Sequence, residues 1–137
     1  GIIAATSLSL MPQAVEASYK VTLFPFRSHM PAEGNCEGAA WRAGQELGEH
    51  AYASWDGRKR IIWLGINGEI YKSSFQRTEA RRVKVLEARF GDIDAVVSIP
   101  QQAIHNYHAP QIGTLEILSR SVNKSYGRIN VSVLEAC

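Results

Sequence analysis

The stretch "AYASWDGRKRIIWLGINGEIYKSSF", residues 51–75, decides the fold. Asp56-Gly57 and Asn67-Gly68 are the dipeptides that tight hairpin turns prefer, because both can adopt positive φ at low cost. Between them, "RKRIIWLGI" is rich in β-branched and aromatic residues. The pattern predicts a three-strand meander over about 51–55, 60–66 and 69–76.

Working outward, "SYKVTLFPFRS" (18–28) reads as a strand carried by Tyr19, Val21 and Leu23 and ended at or after Pro25. "CEGAAWRAGQELGEH" (36–50) places Ala39, Ala40, Ala43 and Leu47 at helical spacing, with Asn35 as N-cap. "TEARRVKVLEARFGD" (78–92) offers two readings. Val83, Leu86 and Phe90 share a helical face, whereas Val83 and Val85 alternate as in a strand; we read a helix. "DAVVSIP" is a strand, "QQAIHNYHAP" (101–110) a short helix or loop, and "QIGTLEILSRS" and "GRINVSVLEA" two further strands. The expected fold is therefore α+β: a mostly antiparallel sheet of about six strands with two or three helices.

A chain of 137 residues suits one domain. With 45% hydrophobic and 20% charged residues, its composition is globular. No apolar run approaches the ~20 residues of a membrane-spanning helix. The first residues, "GIIAATSLSLMPQAVEA", carry an apolar core and end on small residues, as a secretory signal cleaved after Ala17 would. This organisation implies a signal segment at 1–17, a single domain at 18–137, and a secreted or periplasmic location. Cys36 and Cys137 are the two cysteines. In an oxidising compartment they are expected to pair, closing a loop of ~100 residues worth roughly 4–5 kcal/mol and holding the C-terminus.

The other reading of Cys36 is a nucleophile. A thiol at a helix start is acidified by the helix dipole and needs a histidine base, for which His105 and His108 are candidates. "NCEG" (35–38) resembles the Cys-x-Gly helix start of NlpC/P60-type peptidases. That resemblance covers four residues, with Glu37 where the family usually has serine. "RIIWLGINGEIYKSSFQ" (60–76) resembles the final hairpin of barnase-type ribonucleases. It implies Arg60 as a phosphate-binding arginine, but Gln76 stands where that family has its catalytic histidine, which leaves a generic twisted hairpin. His105 and His108 stand at i, i+3 and Asp92 or Asp94 could supply a third zinc ligand, but nothing in the spacing demands it, so neither metal nor cofactor is expected.

Charge is uneven. From Arg58 to Arg89 nine Lys or Arg stand against three Glu, while 90–118 contains no Lys or Arg. A basic face attracts acidic polymers, anionic surfaces or acidic partner proteins; a net charge of only +2 argues against nucleic acid. The bland alternative is a solvated face with Glu79 and Glu87 paired within a turn. The expected function is binding to a protein partner or an anionic ligand or surface. Trp55, partly exposed at a hairpin end, and Arg58, Arg60, Arg77, Arg81 and Arg82 form the expected face. The alternative is a secreted hydrolase or toxin-like enzyme, either a Cys36–His amidase or a phosphodiester-cleaving domain.

Overall fold

The computed structural model describes residues 18–31, 33–101 and 109–136. The signal segment expected at 1–17 lies outside them, as do His105, His108 and Cys137. Among the described residues are ten strands: β1 (Phe24–Pro25), β2 (Glu37–Arg42), β3 (His50–Ala51), β4 (Ala53–Asp56), β5 (Ile61–Ile66), β6 (Glu69–Ala80), β7 (Val83–Phe90), β8 (Ile93–Pro100), β9 (Gln111–Ser119) and β10 (Lys124–Ala136). Eight of them, β2 and β4 to β10, form a closed antiparallel barrel in which β10 pairs with both β9 and β2. The fold is thus an all-β barrel, not the expected α+β sheet. The only helical element among the described residues is a single 3-10 turn, Phe26–His29.

The expected meander is β4–β5–β6, joined at Asp56-Gly57 and Asn67-Gly68. Alternation along each strand sends one set of side chains inward. Leu64, Leu86, Val97, Leu115 and Val131, from five strands, are all at most 1% exposed and meet in one cluster. An eight-stranded barrel is just wide enough for such side chains to fill it. Each large one contributes roughly 1.5–3 kcal/mol by leaving water.

The helix expected over 36–50 is instead β2, a turn and β3. β2 is buried on both faces. Its inward residues Gly38 and Ala40 face the lumen, while Ala39 and Trp41 lie under an outer layer of Phe24, Phe26 and Ala51. A strand covered on both sides loses the apolar–polar alternation that identifies strands, and the run "GAAW" then imitates a helix.

The helix expected over 78–92 is the β6–β7 hairpin. Arg82 adopts φ 64° in its turn, a left-handed conformation no helix contains. In "LEAR", Leu86 and Ala88 are buried while Glu87 and Arg89 are exposed, a period of two that the coincidental spacing of Val83, Leu86 and Phe90 obscured.

The strand expected from 18 to 28 is shorter than its composition suggested. Val21 makes an isolated bridge to Ile66, β1 contributes two residues, and the 3-10 turn follows. Gly65 lets this segment approach closely, since a Cβ there would collide with the Thr22 carbonyl. Among the described residues no helix is long and apolar enough to cross a membrane.

Candidate functional site at the arginine-bearing mouth

Antiparallel succession brings the β4–β5 and β6–β7 turns, the start of β2 and the end of β10 to one mouth of the barrel. Two turns supply its rim: Arg58, Lys59 and Arg60 from one, Arg81 and Arg82 from the other, all exposed. None of these five makes an ion pair among the described residues. The sequence-predicted arginines therefore converge, although two strands of chain separate the groups.

The first turn is built around Asp56, which is 3% exposed. Its carboxylate accepts the Arg58 and Lys59 backbone N–H groups at 3.0 and 2.9 Å and the Asn35 amide at 3.1 Å. Desolvation raises the Asp56 pKa. The Lys59, Asn35 and Arg58 hydrogen bonds and the Lys59 charge outweigh it and hold the carboxyl below its ordinary value. The Cys36 and Asn35 carbonyls accept the Gly57 and Arg58 N–H groups, both at 3.0 Å. The loop before β2 is thereby stapled to the basic turn.

Below the rim the lumen is polar. Glu135 continues the inward series Val131, Val133 on β10, and its side chain is 6% exposed. Arg77 reaches it from β6, across the barrel, through Nη1–Oε1 at 2.9 Å and Nη2–Oε2 at 2.7 Å. Lys84 on β7 donates to Oε1 at 2.8 Å, and the Trp55 indole N–H on β4 donates to Oε2 at 2.7 Å. Burial raises the Glu135 pKa, but the hydrogen bonds from Lys84 and Trp55 and the two cations win, so the carboxyl titrates below its ordinary value.

Two cations, Arg77 and Lys84, meet this carboxylate, and Lys84 also lies 4.0 Å from the exposed Glu79. Arg60 adds a third cation, its guanidinium carbon 6.0 Å from the Phe75 ring centroid, with that of Arg77 at 5.9 Å. The Arg77 Nε and the Gln111 Oε1 are buried without a hydrogen-bond partner among the described residues.

Trp55 departs from expectation. It is fully buried and offers no stacking face; its contribution is to hold Glu135. Gly38, opposite Trp55 and Glu135 in register, makes room for it, since a Cβ at Gly38 would overlap the indole. Glu135 and Lys84 were missed by sequence reasoning. Both occupy inward positions of their strands, and a charge in phase with Val131-Val133 or Leu86-Ala88 was the available signal.

Cys36 is a free thiol, not the expected half of a disulfide. Holding the C-terminus, the role given to that bond, falls to β10 itself, paired on both sides and tied inward through Glu135. Nor does Cys36 begin a helix: it precedes β2 with φ 52°, so the helix-dipole reason for an activated thiolate is gone. The described histidines belong to the outer layer and its strand, His29 against Phe24 and Trp63 and His50 in β3. Among the described residues no group of three or more His, Cys, Asp or Glu side chains could hold a metal ion.

No protein-family model, curated protein or solved structure matches this chain.

Proposed function

We propose that this protein is an exported binding barrel whose arginine-bearing mouth takes an anionic polymer or surface. The observation that supports this reading is the gathering of Arg58, Lys59, Arg60, Arg81 and Arg82 at one rim, while the neighbouring acids Asp56 and Glu135 are consumed internally. Exposed cations outside contact ion pairs attract polyanions over about a Debye length, and turns built on a rigid barrel hold them in fixed relation. Export rests on the character of residues 1–17.

The test is calorimetric titration with a heparin hexasaccharide as the anionic probe, at low and physiological salt. Wild type binds, and binding weakens with salt. The Arg58→Glu, Arg82→Glu double variant binds roughly tenfold or more weakly with an unchanged melting temperature. Equal affinity in the double variant removes the rim from the account.

A further inference from the structure

The arginine-bearing rim carries an unpaired strand edge between its two groups of cations. β6 outruns its neighbour β5. Their register ends with Ile61 opposite Ser74, and the Phe75 N–H donates to the Arg60 carbonyl at 2.9 Å just past it. β6 then continues to Ala80 with β7 alone beside it. Backbone groups alternate in direction along a strand. Since Phe75 faces the β5 side, Gln76, Thr78 and Ala80 turn their N–H and C=O groups to β7, and Arg77 and Glu79 turn theirs to the open side. No described residue pairs with these outward backbone groups.

Gln76, Thr78, Glu79 and Ala80 are exposed. The register with β7 runs without a shift from Phe75 to Ala80, and the segment contains no proline. Among the described residues, then, the edge has none of the bulge, proline or covering strand that close an edge off. Arg77 makes it rigid, because its side chain crosses the lumen to Glu135 and leaves its backbone at the edge.

The protection this edge does have is charge, which admits a partner of opposite sign. Five residues of strand, 76–80, span roughly 17 Å. Arg81 and Arg82 stand at one end, and Arg58, Lys59 and Arg60 at the other. The one acid on the edge, Glu79, has Lys84 4.0 Å away. A second copy of this chain would bring the same cations to the same place and be repelled. A polypeptide with acidic residues flanking a free stretch of backbone is complemented by charge at its ends and by hydrogen bonds in its middle. Polysaccharide offers the charge without the alternating N–H and C=O groups.

We propose that this mouth takes an extended acidic segment of a partner protein, which adds as a strand to the β6 edge at Arg77 and Glu79; the inference rests on the reading of the rim given above and names its partner. Main-chain bonds then supply affinity, and the flanking cations select for acidic ends.

The test compares a short capped peptide, alternating Val and Thr between acidic ends, with the same peptide N-methylated throughout its core, which keeps the charge and removes the backbone donors. Wild type is expected to bind the parent peptide at least tenfold more tightly than the methylated one. In its presence the Arg77 and Glu79 amides are expected to exchange more slowly, with residues 66–72, at the opposite mouth beside Tyr19, unchanged. Glu79→Pro removes an edge donor where proline is tolerated, and Glu79→Gln makes the same change of charge. The proline variant is expected to bind the parent peptide at least tenfold more weakly than the glutamine variant, and both to bind a heparin hexasaccharide alike. Equal affinity of wild type for the two peptides, or unchanged exchange at Arg77 and Glu79, overturns strand addition. Binding of heparin with neither peptide held does the same and leaves the rim as a site for acidic polysaccharide. Failure of all three probes overturns the reading of the rim as well.

Discussion

Arg77 and Glu135, 58 positions apart and on strands across the lumen from one another, meet through two parallel hydrogen bonds of 2.9 and 2.7 Å. The fork geometry of a guanidinium on a carboxylate is the most directional ion pair a protein can make. Here it spans the barrel, with Lys84 and Trp55 completing the carboxylate's partners.

Removing Arg77 strips Glu135 of its bidentate partner but leaves Lys84 and Trp55 on the carboxylate. Arg77→Met is therefore expected to cost about 1–3 kcal/mol in denaturant unfolding. Glu135→Leu, which strands both Arg77 and Lys84, is expected to cost about 3–5 kcal/mol, and adding Arg77→Met is expected to recover part of that loss. Strictly additive losses in the double variant would show that the two residues do not interact.

The acid limb of stability follows from the same carboxylate. The folded pKa of Glu135 lies below the ordinary glutamate value of 4.5. Its contribution is then fully present above that value and is lost as pH falls through the lower folded value. Asp56 behaves likewise below its ordinary 3.8. Thermal melts between pH 7 and 2.5 are expected to show a steep fall below about pH 4.5, shallower in Glu135→Gln and also in Asp56→Asn.

Gly38 is expected to tolerate no side chain. Gly38→Ala places a methyl into the Trp55 indole, and overpacking of this kind costs about 1–3 kcal/mol. Losing the indole's bond to Glu135 adds to it. Gly48→Ala, where a Cβ meets nothing within 4 Å, is the control and is expected to be near neutral. Matched urea midpoints of the two variants would contradict the packing described for Trp55.

Much of the wall was legible where turns announce themselves. Asp56-Gly57 and Asn67-Gly68 bracket β5, and alternation in "DAVVSIP" marks β8. Closure was not legible, because it depends on β2, whose two buried faces erase the period-two signal, and on the pairing of β10 with β2 across almost the whole chain. The rim arginines could be singled out by type and density. Their convergence could not, since it is a product of barrel topology. Trp55 reads as a surface aromatic because it neighbours a turn; its inward phase, shared with Ala53 on β4, makes it core.

The central claim is that anions bind at the Arg58/Arg82 mouth. The most direct measurement is an amide chemical-shift map of the protein titrated with a heparin hexasaccharide. The account predicts saturable shifts at residues 57–60 and 80–84, reduced by added salt, with residues 18–22 and 66–72 unmoved. Shifts centred on the Tyr19 mouth, or none at a probe excess under low salt, would contradict it.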